Sequence, residues 1–231
     1  MSKKTVTACI LIPGLIVLSR YVRPNDLLTV TLVDQKVPYF TPTFPNLSNV
    51  CENIHQSTSV QDLLCMKTPT FLKNYKNPCW MDNAKLRCQP YFHLIGNAKC
   101  GTSDFYRRLT VHPDILYNKG FLHKETSFWS RQRFGYIHGA HGGHYENKKN
   151  FHWYTDKFNA SGLERFKDEN DFHYKITGVG DPMDFYDRFH DNMMPQNQRD
   201  AEELKWTTPH VLRHLNPNIK LILILRDPIE R

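Results

Sequence analysis

The stretch Tyr91–Leu109, YFHLIGNAKCGTSDFYRRL, decides the fold. It opens with an apolar run at 91–95, whose aromatic and branched residues favour a β-strand. Gly96 ends the run, a polar loop follows, and Phe105, Tyr106 and Leu109 then recur at helical spacing. A strand, a glycine loop and a helix in this order direct backbone N–H groups and the positive end of the helix at an anion. The stretch therefore predicts an anion-binding turn in an α/β protein.

The loop departs from the nucleotide-binding pattern G-x-x-x-x-G-K-[ST] at its lysine. Gly96 and Gly101 have the required spacing, but Thr102 stands where the pattern has its lysine, which comes earlier, at Lys99. A lysine inside the loop would lie against the edge of a phosphate rather than reach over a triphosphate. An ordinary glycine turn remains the alternative, because short motifs also occur by chance.

Length and charge limit the classes of function. The 231 residues suffice for one good-sized domain with an appendage, and the formal net charge of +7 indicates an anionic partner. A nucleotide, a sulfated glycan, a nucleic acid or a membrane surface would each satisfy that charge. The chain has no lysine or arginine run, zinc-finger spacing or RNA-recognition motif, so we predict no nucleic-acid partner.

Residues 1–20 are predicted to be an uncleaved signal anchor. Lys3 and Lys4 precede an apolar stretch at 6–18, which is shorter than the roughly 17–25 residues of a usual spanning helix. The absence of a clear small-x-small cleavage site favours an anchor over a cleaved signal peptide. A buried core helix is a third alternative. The proline-interrupted residues 21–74 would then be a stem, and residues 75–231 would form the globular part.

Cysteine usage agrees with a secretory compartment. An even set precedes the loop and allows three pairings: Cys51, Cys65, Cys79 and Cys88. Zinc is the alternative, but no C-x-x-C pair occurs among the four, so two disulfides are predicted and no metal site. The N-x-S sequons at Asn46 and Asn159 would be glycan acceptors in that compartment.

Short apolar runs continue downstream of the loop. They predict strands at 114–117, 174–178 and 220–225 and a helix at 201–215. The last run is continuous, as is typical of a strand buried on both faces of a parallel sheet. The fold class is therefore α/β, with a P-loop-like parallel sheet flanked by helices.

Two polar segments between these runs are candidates for the site. Lys124-Glu125 follows the strand at 114–117 and precedes aromatic residues, which suits either a catalytic edge beside the loop or a solvated turn. The second segment has H-x-x-H-x-x-H spacing at His138, His141 and His144. Its glycines argue against a helix that would align the three rings, so we predict a flexible loop over an acceptor cleft rather than a metal site.

In combination, these motifs resemble the two signatures with which Golgi carbohydrate sulfotransferases bind 3′-phosphoadenosine 5′-phosphosulfate (PAPS). The resemblance runs with gaps from Tyr75 to Arg231, and its clearest parts are YKNPCW at 75–80, KCGT at 99–102 and RDPxxR at 226–231. It implies the PAPS-dependent sulfotransferase fold, incomplete at the C-terminus, in a single-pass type II protein whose anchor lies in the Golgi membrane and whose domain is lumenal.

The resemblance also implies a reaction and its residues. A sulfonyl group would pass from PAPS to a glycosaminoglycan hydroxyl, at the 6-O position of N-acetylgalactosamine 4-sulfate in chondroitin or dermatan sulfate. Lys99 would stabilise the departing diphosphate, and Glu125, in the position of the family's K-E-P glutamate, would be the base. Arg226 would bind the 3′-phosphate. The remaining donor-binding positions lie in the loop: Cys100, Gly101, Thr102 and Ser103.

Several positions depart from the family pattern. Thr126 replaces the proline of K-E-P, Ser103 replaces a threonine, and Val179 replaces an acidic residue for which Asp181 could compensate. The family's further half-domain would lie past Arg231. We therefore expect a truncated chain that binds PAPS weakly, does not turn over and leaves the strand at 220–225 at an open edge or beside missing neighbours. The alternatives are a P-loop kinase or NTPase and a non-catalytic relative that binds glycan or PAPS.

Overall fold

A computed structural model describes residues 15–18, 47–52, 58–139, 142–186, 189–198 and 200–225. Its strands are β1 (Leu15–Leu18), β2 (Cys79–Asp82), β3 (Lys85–Cys88), β4 (Phe92–Gly96), β5 (Ile115–Leu116), β6 (Tyr136–Gly139), β7 (Gly142–Tyr145), β8 (Ile176–Val179) and β9 (Lys220–Ile224). Its helices are α1 (Leu47–Glu52), α2 (Thr102–Thr110), α3 (Phe151–Thr155), α4 (Ala160–Arg165) and α5 (Thr208–Leu215).

One parallel sheet organises the described chain. Its strand order is β1-β9-β4-β8-β5, and each neighbouring pair is parallel. Leu94, Ile222 and Leu223 are buried in the central strands, as continuous apolar runs predict. The predicted α/β class is confirmed. The expectation that 220–225 lies at an open edge is wrong, because β1 pairs with β9 along Leu221–Ile224.

The connections place the loop after β4 and the loop after β8 side by side at the carboxyl edge of the sheet. The chain leaves β4, forms α2 and passes β8 to reach β5, whereas the path from β8 to β9 crosses to the other side of β4. Tyr106 of α2 is buried in a small core with Phe92, Leu94 and Ile222. Parallel α/β sheets bind ligands at such reversals of strand order, outside the carboxyl ends of the strands.

A second, larger core lies beside the sheet and contains the Cys79–Cys88 disulfide. Cys79–Cys88 closes the antiparallel β2–β3 hairpin, and Cys51–Cys65 joins α1 to the segment that follows it. The prediction of two disulfides is confirmed, and the structure supplies the pairing. The core also contains side chains from within the predicted stem: Val60, Leu63 and Leu64.

Two predicted elements differ from the observed ones. The helix predicted at 201–215 begins only at Thr208, because Thr207 and His210 form a capping box and Pro209 suits a first turn but not a helix interior. The predicted flexible histidine loop is a hairpin of β6 and β7, in which Tyr136 and Tyr145 pair across the strands. His144 there lies 2.9 Å from Glu146.

One described element lies within residues 1–20, the predicted signal anchor. Leu15–Leu18, within the predicted anchor, is strand β1. Over the residues that the structure describes, no helix has the length and apolar character needed to cross a membrane. The rest of residues 1–20 lies outside the described ranges, and the anchor stays a prediction.

Candidate active site

The loop from Gly96 to Gly101 joins β4 to α2 and leaves an open cradle at the start of the helix. Gly101 adopts a φ of +88° as the helix N-cap, a conformation that favours glycine. A Cβ at this position would meet no described atom within 4 Å. The first N–H groups of a helix have no intrahelical partner, so the first turn of α2 presents donors to this open space. Asn97 donates its N–H to Ile224 O at 2.7 Å, which fixes the loop to the end of β9.

The predicted loop residues are differently exposed. Lys99 is exposed and has a φ of 63°, whereas Cys100 is a buried free thiol. Thr102 is buried and Ser103 is exposed, both in the first turn of α2. Arg226 follows β9 and lies outside the described residues. The residues predicted to bind the 5′-phosphosulfate therefore lie together in the loop and the first turn of α2. The predicted binding of the 3′-phosphate by Arg226 stays a prediction.

Lys124 approaches this turn from a separate segment. Its Nζ lies 3.5 Å from Thr102 Oγ1, 3.3 Å from Ser103 Oγ and 2.7 Å from Glu125 Oε1. The Lys124 side chain is 4% exposed and that of Glu125 is 25% exposed. An ammonium, a carboxylate and two hydroxyl groups therefore meet at the helix N-terminus.

Buried polar contacts hold Lys124 in this position. Its carbonyl oxygen accepts from Gly180 N and from Asn118 Nδ2, each at 2.9 Å. Asn118 Nδ2 also donates to Gly178 O at 2.8 Å, and Tyr106 Oη donates to the same oxygen at 2.9 Å. The segment is thereby fixed to the carboxyl end of β8 and to α2.

A tight turn presents Glu125. Phe121 and Glu125 exchange both backbone hydrogen bonds, at 2.7 Å and 3.0 Å. Leu122 and His123 within the turn have φ values of 51° and 56°. Gly120 enters the turn so closely that a Cβ there would lie 2.2 Å from Glu125 O. The turn therefore requires a glycine at position 120.

Asp181 fixes the residues that follow Glu125. Its Oδ2 accepts from Thr126 N at 2.9 Å, from Thr126 Oγ1 at 3.4 Å and from Ser127 N. Burial, followed by the charge of Asp184, raises the pKa of Asp181 to about 7. Val179, the position of the lost family acid, is fully buried in the larger core. Asp181 is thus the carboxyl group that contacts the Glu125 segment.

A buried histidine lies behind these carboxyl groups. His93 of β4 is fully buried, and its Nε2 lies 2.9 Å from Asp184 Oδ2. Burial lowers the pKa of His93 to about 4, so the ring is neutral near pH 7.

The histidines of the β6–β7 hairpin contribute no observed metal site. Within the described parts of the chain, no group of three His, Cys, Asp or Glu side chains is placed to hold a metal ion. His141 and the side chain of His138 lie outside those parts.

The sequence named Lys124 only as part of a motif and did not predict its contact with the loop. Its neighbour Glu125 was identified from the K-E pair, but residue spacing does not show which way an adjacent side chain points. The contact depends on Gly180, 56 positions later in the chain. Chemically, the assembled groups can bind an anion and can accept a proton from a hydroxyl group beside it.

Three curated proteins are similar to this chain: carbohydrate sulfotransferase 15 of Homo sapiens, of Mus musculus and of Rattus norvegicus. The first two are 31% identical and the third is 30% identical, each over 155 residues. The alignments cover 64% of this chain and 27% of each relative, so the chain spans about a quarter of the relatives' length. No solved structure matches the chain, and no protein-family model does.

The similarity to the three sulfotransferases agrees with the observed architecture. A strand–loop–helix anion cradle lies at the carboxyl edge of a parallel sheet, as the family resemblance implied. This similarity over 155 residues supports membership of the sulfotransferase family for the matched part of the chain.

Proposed function

We propose that this chain carries the sulfonyl-donor site of a PAPS-dependent carbohydrate sulfotransferase. One observation carries the proposal: Lys124 and Glu125 lie against the hydroxyl groups of Thr102 and Ser103 at the N-terminus of α2. The site therefore combines anion-binding groups with a carboxylate that can act as a base, which sulfonyl transfer to a hydroxyl requires. The three similar proteins are carbohydrate sulfotransferases by name.

The groups present suit a loop that holds a 5′-phosphosulfate. The open space at Gly101 leaves room for an anion, and the first-turn N–H groups and Lys99 supply donors and positive charge. PAPS would supply the sulfonyl group and adenosine 3′,5′-bisphosphate as the leaving group. In the transfer, the acceptor oxygen bonds to sulfur and the bond between sulfur and the 5′-phosphate oxygen breaks. Glu125 takes the hydroxyl proton, and Lys99 offsets the charge on the departing phosphate.

The proposed acceptor is a sulfated glycosaminoglycan. Following the motif resemblance, we propose the 6-O position of N-acetylgalactosamine 4-sulfate in chondroitin or dermatan sulfate. The net charge of +7 supports a polyanionic acceptor, because opposite charge favours the encounter of the two.

A transfer assay with the full-length protein tests this function. Radiolabelled PAPS is incubated with the protein and chondroitin 4-sulfate, and the labelled disaccharides are then identified. The wild-type protein is expected to label N-acetylgalactosamine 4-sulfate at the 6-O position. Label at another position would contradict only the acceptor assignment, whereas no label on any glycosaminoglycan would contradict the activity.

Lys99→Ala extends this assay to the loop. Because Lys99 supplies charge to the phosphosulfate, the variant is expected to lose PAPS binding and transfer together. Lys73→Ala is the matched control, since Lys73 is an exposed lysine outside the three segments of the site. Equal loss in both variants would show a non-specific effect of charge and would contradict the role of Lys99.

A non-catalytic relative that binds PAPS is the second candidate. Two departures favour it: Thr126 replaces the proline of the K-E-P motif, and Val179 replaces an acidic residue and is fully buried. Calorimetry together with the transfer assay separates the two candidates. PAPS binding without transfer to any glycosaminoglycan supports the non-catalytic candidate, and transfer excludes it.

We also propose that the protein lies in the Golgi membrane as a single-pass type II protein with a lumenal domain. The two disulfides and the sequons at Asn46 and Asn159 support an oxidising, glycosylating compartment. Colocalisation with a Golgi marker and protection of the domain from added protease in intact vesicles would test this. A cytosolic domain with four free thiols would contradict it.

A further inference from the structure

We infer that Lys124 is a second cation of the donor loop, which binds the 5′-phosphosulfate end of the donor together with Lys99. The inference rests on the proposed function and extends it to a residue that the loop motif does not contain.

The structure builds a specific place for the Lys124 side chain. A Cβ at Gly180 would lie 2.9 Å from Lys124 Cγ and 3.0 Å from its Cε, so the absence of a side chain at position 180 makes room for the lysine. The same Cβ would lie 2.8 Å from the ring of Tyr106. The lysine therefore passes through a narrow space between β8 and α2, with its backbone fixed by Gly180 and Asn118.

Burial makes this position costly without a compensating partner. Lysine is rarely found with a 4% exposed side chain, because removal of an ammonium from water costs several kcal/mol unless an opposite charge pairs with it. Glu125 provides that charge at 2.7 Å. A solvent-exposed salt bridge would not require burial of the amine. The buried position is therefore unfavourable for Lys124 alone, but it fixes the location of the ammonium group.

That place is the anion cradle. Lys124 Nζ also lies within reach of the hydroxyl oxygens of Thr102 and Ser103, which belong to the turn whose first N–H groups attract an anion. These two contacts, 3.5 Å and 3.3 Å, are long for hydrogen bonds of an ammonium, whereas the contact to Glu125 is short. The ammonium therefore keeps capacity for a stronger acceptor on the α2 side, and a phosphosulfate oxygen is such an acceptor.

The site thus supplies two cations from different segments. Lys99 comes from the exposed loop, and Lys124 comes from the buried segment that also carries Glu125. Because Lys124 contacts both the first turn of α2 and Glu125, it joins the donor site to the proposed base. Tight binding of the donor and placement of the base are therefore expected to depend on the same side chain.

Calorimetry on the intact protein tests the inference with two nucleotides. Lys124→Met removes the charge and keeps most of the side-chain volume. It is expected to weaken binding of adenosine 3′,5′-bisphosphate about 10- to 100-fold, the usual loss for one hydrogen bond to a charged group. Binding of adenosine 3′-monophosphate, which has no 5′-phosphate, is expected to stay within about twofold. Lys73→Met, in which an exposed lysine outside the site is changed in the same way, is the control and should leave both affinities unchanged.

Further readouts separate a binding role from a structural one. The double variant Lys124→Met/Glu125→Gln removes both charges of the pair and is expected to melt close to the wild-type temperature without nucleotide, because it leaves no buried charge without a partner. Lys124→Gln, which keeps a polar end, provides a second uncharged variant with the same expected loss of affinity. Equal loss of affinity for both nucleotides in the two Lys124 variants would show a structural role and would overturn the inference.

Different results would contradict the role of Lys124 and the proposed sulfotransferase function. If the wild-type protein binds adenosine 3′,5′-bisphosphate and both Lys124 variants bind it equally well, the inference is wrong while the proposed function stands. If the wild-type protein binds neither this nucleotide nor PAPS, the proposed function is wrong and the inference falls with it.

Discussion

At the scale of single residues, Asp181 and Thr126 explain how the segment after Glu125 keeps its place without the family's proline. A proline at position 126 would have no N–H group to donate. Thr126 has one, and it is buried, so it needs an acceptor, which Asp181 Oδ2 provides at 2.9 Å. The same oxygen accepts from Ser127 N. A hydrogen-bonded carboxyl group thus replaces the rigidity of a ring, and Asp181 acts as a positioning residue for Glu125.

The raised pKa of Asp181 gives a pH-dependent prediction. Since burial raises this pKa to about 7, the folded protein holds the proton more tightly than the unfolded chain does. The resulting stabilisation is complete below the ordinary aspartate pKa of 3.8 and is lost as the pH rises through about 7. Asp181→Asn, which stays neutral and can accept the same two N–H groups, removes this loss. Relative to the wild type, its free energy of unfolding should rise by roughly 2 kcal/mol between pH 5 and pH 8.

Urea unfolding of both proteins at pH 5 and pH 8 measures that difference, and His93 makes the paired comparison necessary. Burial lowers the pKa of His93 to about 4, so its contribution to stability is present above its ordinary value of 6.5 and is lost as the pH falls through about 4. The two groups therefore oppose each other in the wild-type curve. Parallel pH curves for the wild type and Asp181→Asn would contradict the protonated, buried state of Asp181.

At the scale of elements, the turn at 120–125 determines where Glu125 lies. Gly120→Ala would place a methyl group 2.2 Å from the backbone oxygen of Glu125, and a backbone atom in a closed turn cannot move aside cheaply. We expect this variant to lose at least about 100-fold in sulfonyl transfer, the lower range for removal of a general base. The transfer assay measures the loss.

Gly162→Ala is the matched control for that variant. A Cβ at position 162 would also be crowded, but by the amide end of the Asn159 side chain, which can move. Its transfer rate should therefore stay close to that of the wild type. Full activity in Gly120→Ala would contradict the requirement for a glycine in this turn.

The sequence predicted those elements whose signal is local. The apolar run at 220–225 became β9, and the strand, loop and helix of 91–109 became β4, its loop and α2. Elements that depend on distant partners were missed. The pairing of β1 with β9 joins segments about 200 residues apart, which no local pattern encodes. Helix α5 begins late because of the Thr207–His210 capping box and Pro209. Our prediction followed the apolar spacing and did not take these two signals into account.

At the scale of the whole molecule, the two disulfides fix the segments that lead into the sheet. Cys79–Cys88 is buried within the larger core, so the double variant Cys79→Ala/Cys88→Ala should lose about 2–4 kcal/mol in the free energy of unfolding. Denaturant titration measures this, and the reductant-treated wild type is the control. Peptide mapping without reductant should also find Cys51 joined to Cys65. A different pairing would contradict the fold of the entry segment.

The site itself is a product of the whole fold. Three segments meet at one edge of the sheet: the loop at 96–103, the turn at 118–127 and the end of β8 at 180–184. The sequence predicted roles for Lys99, the loop and Glu125 because each lies in a recognisable motif. It did not identify the linking roles of Lys124 and Asp181, because those roles exist only after the segments pack together. The role of Arg226 stays a prediction.

The central claim is that Glu125, placed beside the anion cradle, accepts the proton of the acceptor hydroxyl during sulfonyl transfer. The most direct test measures PAPS affinity and sulfonyl transfer in the intact wild-type protein and in Glu125→Gln. The account predicts that transfer falls by roughly 10²–10⁴, the usual cost of removing a general base, while PAPS binds at least as tightly as in the wild type. Unchanged transfer in Glu125→Gln, in a protein that does sulfate its acceptor, would contradict the account.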